Sequence, residues 1–500
     1  MFTMDSTTLL AQLSPSTSLS DSDSATVLTQ SLNLFTRSVR PADLDTHASK
    51  MAESFNEALV DGSVLTMLPN YIIDPTGSEQ GDFLVIDLGG STLRVAVISI
   101  SAPQEGKSRQ DRILLVTSRK WQVENSNKHV DEQFFAWIGA NIKETLDSQS
   151  VLLLDSVINT GVTWSFPCES TSYNSANVLY MGKGYEVDEA VFGRNLKHLL
   201  ETSVLQHHGI RINVESIIND SLAVYAAGCF IDSKTKLALV LGTGLNVCCL
   251  LATLSRIHDL KHLAAEERCL FNSETSLFGR ELILPFANKY DSIIDPRFLS
   301  VPDFAPHMTL DPISNDIFQP SELLASGRYL PELVRLVLLE MMQKNEIFAS
   351  QKKVALLLKE YEGVTGELVC FINECDDYDQ VAAKIETFYG WTAGLVLVSD
   401  VVSLKLLVEA VIRRAAFIVA ISIVAYIKLL ALHNGELRDE VITIGYVGSV
   451  MAYFNRMREM IKDYVNECSF TQDLGIHVDL QEVHESSVVG AAIGAACHTK

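Results

Sequence analysis

The chain has 500 residues, 47% of them hydrophobic and 20% charged, so it is long enough for two globular domains with a cleft between them. It carries 39 basic and 62 acidic residues, which give a formal net charge of −23. Such an acidic surface repels nucleic acid and anionic lipid, and this excludes a general polyanion binder. Any phosphate ligand must therefore be held by locally arranged donors.

Residues 1–25 are rich in Ser and Thr, and no Lys or Arg precedes Arg37. A signal or transit peptide needs early positive charge, so this segment is predicted to be a disordered tail. Helical spacing follows from Ala25 to Gly62. The cysteines lack Cys-x-x-Cys spacing and fall in apolar stretches, as at Cys248 and Cys249, which indicates reduced thiols in an intracellular, cytoplasmic protein.

A first glycine turn ends an aliphatic run in FLVIDLGGSTLR, residues Phe83–Arg94. A turn without bulky side chains lets backbone N–H groups approach an anion closely. Asp87, at the lip of this turn, could take a metal ion bound to that anion. By itself the pattern is more typical of an ordinary turn between strands.

Strand and helix patterns alternate after this turn. Strands are predicted at Leu84–Asp87, Val95–Ile100 and Ile113–Trp121, and helices at Asp131–Ser148 and Asp188–His207. The alternation favours an α/β protein with layered sheets and helices.

Asn219 and Asp220 follow the apolar segment Val214–Ile218 and precede the helix-like sequence LAVYAAG. A carboxylate there would face a cleft, where it could accept a proton from a hydroxyl nucleophile, as phosphoryl transfer to an alcohol requires. The alternative is that one of these two residues only caps the helix.

A second glycine turn lies in LALVLGTGLNVCC, residues Leu237–Cys249, and a third at Gly448-Ser449 follows the strand Val441–Tyr446. Two such turns facing each other could hold a polyphosphate from both sides. The apolar segment Ala415–His433 resembles a membrane span, but Lys428 interrupts it and a fully buried helix is predicted.

Nine sequence blocks occur in the order and near-spacing of the hexokinase family, which this chain resembles from Ser63 to Cys497. The blocks are MLPNYIIDPTGSEQGDFLVIDLGGSTLRVAV, SFPC, GKGY, IINDS, LGTGLNVCC, NSETSLFG, QPSELLASGRYLPELVRL, VGSVMAYF and SSVVGAAIGAA. Nine ordered blocks are far more specific than any one glycine turn.

The resemblance implies an α/β, two-lobed actin-like ATPase (ribonuclease H-like) fold, with small and large domains flanking a cleft. The implied domains are an N-terminal helical part of the large domain at 26–77, the small domain at 78–220, the large domain at 221–465, and a segment returning to the small domain at 466–500.

The resemblance also implies the site, with ATP and Mg²⁺ as cofactors and a sugar as the small-molecule partner. Asp220 would be the general base on the sugar 6-hydroxyl, and Asp87 would hold the metal through water. The implied sugar-binding residues are Ser165, Lys183, Asn219, Asp220, Asn246, Glu274, Gln319 and Glu322. The implied nucleotide and phosphate residues are Asp87, Gly89, Gly90, Ser91, Thr92, Arg94, Gly242, Thr243, Gly244, Gly448 and Ser449. No nucleic acid and no membrane span are expected, and the chain is expected to be a monomer or homodimer.

The chain departs from the family pattern mainly on the sugar side. Met181–Tyr185 reads MGKGY where glucose kinases have Trp-Thr-Lys-Gly-Phe, and Asn272–Ser276 reads NSETS where they have Asn-Thr-Glu-Trp-Gly. Smaller departures are Ser91-Thr92 in the first turn and Leu245 in the second. Losing a Thr and a Trp would make room for a bulkier sugar while sparing the base.

The departures therefore favour altered specificity over lost catalysis. A sugar with a bulkier C2 group would use the added room, and the chain is similar to the divergent fungal branch that phosphorylates N-acetylglucosamine. Phosphorylation of glucose or of many hexoses is the alternative among enzymes, and a catalytically inactive hexokinase-like regulator is the alternative outside them.

Overall fold

The computed structural model describes residues 26–60, 63, 65–71, 73–147, 157–166, 168–179, 181, 184–252, 257, 268–299, 317–351, 354–435, 437–438 and 440–499. The predicted tail at 1–25 lies outside these residues. The strands are β1 Leu68–Asn70, β2 Gly81–Leu88, β3 Thr92–Ile100, β4 Ile113–Gln122, β5 His129–Val130, β6 Ile158–Trp164, β7 Cys168–Ser172, β8 Ser175–Val178, β9 Glu186–Val187, β10 Ile212–Ile218, β11 Thr235–Leu241, β12 Leu245–Ala252, β13 Arg268–Asn272, β14 Val441–Val447 and β15 His477–Glu482.

The helices are α1 Val27–Thr36, α2 Leu44–Val60, α3 Glu132–Asp147, α4 Leu196–His208, α5 Asp220–Ile231, α6 Arg280–Phe286, α7 Lys289–Ile294, α8 Pro320–Ala325, α9 Leu330–Gln343, α10 Gly366–Glu374, α11 Tyr378–Tyr389, α12 Val398–Asn434, α13 Ser449–Tyr453, α14 Asn455–Glu467, α15 Ser469–Asp473 and α16 Ser486–His498.

The first large sheet has five strands in the order β10-β6-β2-β3-β4. Strands β2, β3 and β4 form an antiparallel meander, whereas β6 pairs in parallel with both β2 and β10. Because β2, β6 and β10 run in one direction, their carboxyl ends meet at one edge of the sheet. Loops after parallel strands are where α/β proteins place ligands.

The second large sheet has six strands in the order β1-β13-β12-β11-β14-β15. Strands β11, β12 and β13 form an antiparallel meander, and β14 pairs in parallel with β11 and β15. Apart from the short edge strand β1, this is the connectivity of the first sheet. The two-lobed α/β fold that the family resemblance implies is therefore confirmed.

Helices α5 and α16 lie between the two sheets and pack against each other. Helix α16 contacts β2, β6 and β10 of the first sheet, and α5 contacts β11, β12 and β14 of the second. Within the predicted returning segment 466–500, β15 belongs to the second sheet, and α16 is the part that reaches the first. The two helices thus connect the lobes, and their N-terminal residues Asp220 and Ser487 lie near the carboxyl ends of β10 and β2.

Two predicted helices differ in their extent from those in the structure. The predicted helix from Ala25 to Gly62 is divided into α1, which ends at Thr36, and α2, which begins at Leu44; between them Pro41 starts a short 3-10 turn. Proline lacks an N–H and cannot continue a helix from its N-terminal side. The helix predicted from Asp188 starts only at Leu196, because the Asn195 side chain caps it by accepting the His198 N–H.

The predicted buried helix at Ala415–His433 is confirmed and forms part of α12. By length and composition alone, this helix could cross a membrane. In the folded protein, however, 83% of its most apolar stretch is buried. It packs against α2, α14 and α1. Within this helix the side chain of Arg414 is fully buried, and it forms an ion pair with Asp291 at 2.7 Å. The helix is the centre of the second lobe.

A buried carboxyl group on α6 makes the stability of this lobe depend on pH. The Oε1 atom of Glu281 is buried without a hydrogen-bond partner, and Ser54 donates to Oε2 at 3.4 Å. Burial raises the pKa of Glu281 from 4.5 to about 7. Between these two pKa values the folded protein keeps a proton that the unfolded chain releases. The free energy of unfolding therefore falls as the pH rises from 4.5 to about 7.

We expect the substitution Glu281→Gln, whose side chain stays neutral, to abolish this decrease in the free energy of unfolding at high pH. At pH 8 the variant should exceed the wild type in free energy of unfolding by about 2 to 3 kcal/mol, and at pH 4 the difference should be close to zero. Urea unfolding of both proteins at the two pH values measures it. An equal difference at both values would show that the pKa of Glu281 is not raised in the folded protein.

Candidate active site

The carboxyl ends of β2, β6 and β10 bring together three of the predicted site segments. The first glycine turn follows β2, Ser165 follows β6, and Asn219 follows β10. Ser165 donates its backbone N–H to Leu88 O at 3.1 Å. The Tyr185 hydroxyl donates to Gly89 O at 3.2 Å and so closes over the turn. The parallel part of the first sheet therefore builds one wall of the site.

Asp87 lies on this wall, half-buried, and is held by a residue far away in sequence. The Ser487 hydroxyl donates to Asp87 Oδ2 at 2.6 Å, and the Thr163 hydroxyl donates to the Ser487 carbonyl oxygen at 2.7 Å. Burial raises the pKa of Asp87 and the nearby Asp220 raises it further, whereas Ser487 and Arg94 oppose the rise. Asp87 and Asp220 are thus close enough to repel each other.

Arg94 lies beside Asp87 in the β2–β3 ladder and is held by two other groups. Its Nε donates to Ser118 Oγ at 2.8 Å, and it forms an ion pair with Glu485 at the start of α16. The turn itself is closed by Gly89 N–H donating to Thr92 O at 2.9 Å. Ser91, between them, is exposed. The first turn therefore presents exposed backbone beside a carboxylate and a cation.

Asn219 and Asp220 form the start of α5. Asn219 is the N-cap, because its Oδ1 accepts the Ser221 N–H at 3.0 Å, and Asp220 Oδ1 accepts the same N–H at 2.8 Å. Asn219 therefore caps the helix, and its role in binding sugar stays a prediction. Asp220 remains half-buried and near Asp87, at the place where the two lobes join. A carboxylate at a helix N-terminus is also favoured by the helix dipole.

A network of hydrogen bonds extends from this helix start into the second lobe. The Ser221 hydroxyl lies 3.0 Å from Asn272 Oδ1, which also accepts from Asn246 Nδ2 at 2.8 Å. Asn272 Nδ2 donates to Glu274 Oε1 at 2.8 Å. Three predicted sugar-binding residues, Asn219, Asn246 and Glu274, are therefore linked through Ser221 and Asn272.

Glu322 and Gln319 approach the same region from α8. Glu322 Oε2 accepts the backbone N–H of Leu245 at 3.2 Å, directly after the second glycine turn. Burial raises the pKa of Glu322, and the Leu245 N–H and Arg328 oppose the rise. Gln319 Nε2 donates to Ser276 Oγ at 3.0 Å. Carboxylate and amide groups gathered in this way suit a ligand rimmed with hydroxyls.

The second and third glycine turns come together because β11 and β14 are parallel neighbours. Gly448 has φ 109°, and a Cβ there would lie 2.3 Å from Leu241 O, so only glycine fits. A Cβ on Gly242 would lie 3.3 Å from Ser449 N. The exposed hydroxyl residues Thr243 and Ser449 flank this contact.

The segment after α8 completes this second wall. Gly327 N–H donates to Gly242 O at 2.7 Å, and the Ser326 hydroxyl donates to Thr243 O at 2.9 Å. Arg328 follows and is exposed, and its guanidinium lies 5.4 Å from the centre of the Tyr361 ring. Successive backbone N–H groups are suited to a phosphate chain.

Some sequence predictions fall outside this description or require correction. Lys183 lies outside the described residues. Thr275 was expected to open space on the sugar side, but it is fully buried, and its hydroxyl contacts Ser273 and Tyr426 in the core. The side chain of Thr275 therefore lies in the core of the second lobe.

Sequence reasoning missed several polar residues that the fold brings into the site. Ser487, Ser221 and Asn272 are common residue types whose partners lie 400, 51 and 26 positions away. Arg328 was also missed. The sequence blocks could have pointed to them, because all four residues lie within the blocks that carry the family resemblance.

The carboxylates of the site fit a hydrated magnesium ion. Among the described residues, no three His, Cys, Asp or Glu side chains form a preassembled metal cage. Mg²⁺ does not need one, because it keeps several waters and binds through one or two carboxylates together with substrate phosphates. Repulsion from the Asp220 carboxylate contributes to the raised pKa of Asp87. A cation near Asp87 would relieve that repulsion.

Comparisons with known proteins agree with this architecture. A family model described as Hexokinase matches residues 236–497, and a second of the same description matches residues 32–230. N-acetylglucosamine kinase 1 of Candida albicans is 48% identical over 478 residues, which cover 95% of each chain. The chain belongs to the hexokinase family. The resemblance noted from the sequence blocks is confirmed, including its fungal amino-sugar branch.

Other hexokinases are more distant. The hexokinase of Kluyveromyces lactis is 29% identical over 297 residues, 58% of this chain and 56% of that protein. A solved hexokinase from Schistosoma mansoni, in complex with glucose, has a TM-score of 0.70 at 21% identity and covers 94% of this chain and 99% of that one. This likeness confirms the two-lobed actin-like ATPase fold of the family.

Proposed function

We propose that this hexokinase-family protein transfers the γ-phosphoryl group of ATP to the 6-hydroxyl of N-acetylglucosamine. The observation that carries the proposal is the position of Asp220 at the start of α5, where it accepts the Ser221 N–H and is joined through Ser221 to the network around Asn272 and Glu274. The choice of sugar is supported by the Candida albicans relative, whose name states N-acetylglucosamine.

In this proposal Asp220 accepts the proton of the sugar 6-hydroxyl as that oxygen attacks the phosphoryl group. Asp220 is half-buried at the start of α5, where the helix N-terminus favours a negative charge. The sugar hydroxyls are bound by Asn219, Asn246 and Glu274 on one side and by Glu322 and Gln319 on the other. Ser165 and Lys183 are proposed to complete the pocket.

ATP and Mg²⁺ are the proposed cofactors. Gly89, Gly90, Ser91 and Thr92 would bind phosphate from the first lobe together with Arg94, and Gly242, Thr243, Gly244, Gly448 and Ser449 from the second. Bound Mg²⁺ supplies charge neutralisation at the phosphates. Asp87 would orient it through water, with Ser487 fixing the carboxylate.

The closing of the two lobes would exclude water, which otherwise competes with the sugar as the nucleophile. Helices α5 and α16 join the sheets and carry Asp220 and Ser487 at their starts. A movement of the lobes about these helices would therefore change the site directly. A cytoplasmic location and a monomeric or homodimeric state are part of the proposal.

A coupled assay with MgATP and a panel of sugars tests the function. We expect kcat/KM for N-acetylglucosamine to exceed that for glucose by about ten-fold or more, because one poorly accommodated substituent changes transition-state binding by at least that factor. N-acetylmannosamine, which differs only in configuration at C2, is the matched control sugar. A preference for glucose would favour the broad hexokinase alternative, and turnover of no sugar would favour the inactive regulator.

A further inference from the structure

The residue after Glu274 differs from the family pattern and carries a buried hydroxyl group. Thr275 Oγ1 lies 2.7 Å from the Tyr426 hydroxyl and 2.8 Å from Ser273 Oγ. The Ser273 hydroxyl donates to Val247 O at 2.5 Å. The three hydroxyl-bearing residues are each fully buried. They form a connected group, here called the hydroxyl triad: Ser273, Thr275 and Tyr426.

The triad is fixed to the core of the second lobe. Tyr426 lies on α12, and its ring stacks on Phe55 of α2 with centroids 4.2 Å apart. Phe55 in turn makes an edge contact with Phe278, at 4.7 Å. A buried hydroxyl on a ring held in this way has one fixed direction. Its hydrogen bond to Thr275 therefore fixes the loop around Thr275 relative to the core of the second lobe.

That loop contains a strained residue of the proposed sugar site. Glu274 has φ 53°, in the left-handed region that a non-glycine residue rarely adopts. Its two neighbours, Ser273 and Thr275, are hydrogen-bonded to each other across it. The Thr275 N–H also donates to Asn246 Oδ1 at 3.3 Å. The triad thus brackets Glu274 and contacts Asn246.

We infer that Ser273, Thr275 and Tyr426 are positioning residues for sugar recognition, which hold the Glu274 carboxylate and the Asn246 amide in their binding orientation. Without the bracket, the left-handed backbone at Glu274 would relax and turn the carboxylate away from its place beside Asn272. The inference rests on the proposed function, because it assigns Glu274 and Asn246 to the sugar. It concerns the binding of sugar and leaves the binding of nucleotide unaffected.

Thr275→Val tests the bracket at nearly constant side-chain volume. We expect its KM for the sugar to rise about ten-fold, the effect of one misplaced charged hydrogen-bonding group, with KM for ATP changed less than about two-fold. Thr275→Ser keeps the hydroxyl and should restore the wild-type KM for the sugar. Thr145→Val removes another fully buried threonine hydroxyl, in α3, and is the matched control expected to leave both KM values unchanged.

A double variant separates positioning from stability. Thr275→Val leaves the Tyr426 hydroxyl without its threonine partner, whereas Thr275→Val with Tyr426→Phe removes both groups, which is nearly neutral for stability. We expect the melting temperature to recover in the double variant while KM for the sugar stays raised. Recovery of both quantities, or equal rises in KM for sugar and ATP, would overturn the inference. A wild-type protein that phosphorylates no sugar would instead refute the proposed function.

Discussion

Replacing Asp220 by Asn is expected to lower kcat by about 10² to 10⁴-fold, the usual contribution of a positioned general base. The amide has the same shape and can still accept the Ser221 N–H that Asp220 accepts at 2.8 Å. It cannot take a proton from the sugar 6-hydroxyl. Since proton transfer stabilises the transition state, KM for the sugar should change little. Steady-state kinetics with MgATP measures both parameters.

Asp232→Asn is the matched control, at the opposite end of the same helix. Asp232 accepts from the Thr443 hydroxyl at 2.6 Å and faces the start of β14. Its replacement should leave kcat within about two-fold of the wild type. Asp220→Asn should also not unfold the protein, because it removes the repulsion between Asp87 and Asp220. Unchanged turnover in Asp220→Asn would exclude this carboxylate as the base.

Replacing Gly490 by Ala is expected to destabilise the protein by about 3 kcal/mol or more. A Cβ at this position would lie 2.1 Å from the Ala223 carbonyl oxygen of α5. That atom belongs to helix backbone and cannot turn aside, so α16 and α5 would have to separate. The same two helices place Ser487 and Asp220. Activity should therefore fall together with the urea midpoint, which equilibrium unfolding followed by circular dichroism measures.

Gly366→Ala provides the control for this substitution. Gly366 begins α10, and its Cβ would find its nearest atom 4.0 Å away, at Pro331. Alanine favours a helix more than glycine does, so this variant should match or slightly exceed the wild type in stability. A Gly490→Ala protein as stable and active as Gly366→Ala would mean that the helices can separate without cost.

The glycine turns show how far local sequence reaches. Each turn follows a strand with a regular apolar pattern, so the positions of Gly89, Gly242 and Gly448 at strand ends could be predicted. The buried helix at Ala415–His433 was predictable for the same reason, since continuous apolar character needs burial. These features depend on neighbours in the chain, and their patterns are complete within a short window.

The polar contacts of the site could not be predicted in this way. Ser487 and Asp87 are 400 positions apart, and Ser221 meets Asn272 from the other lobe. Nothing in the local sequence distinguishes these serines from ordinary helix-start residues. The contact of the Thr275 hydroxyl could not be predicted either, because its partner Tyr426 lies on α12, 151 positions away.

By itself, the sequence determined the α/β class, the strand-end turns, the candidate base at Asp220 and, through its ordered blocks, the family. The tertiary structure decided which groups hold those residues in place: Ser487 on Asp87, Asn272 between Asn246 and Glu274, and the core hydroxyls behind Thr275. The physical reason is the distance along the chain over which each interaction acts. Turn and strand preferences act between neighbouring residues, whereas a hydrogen bond across the site exists only after two sheets and their connecting helices have packed.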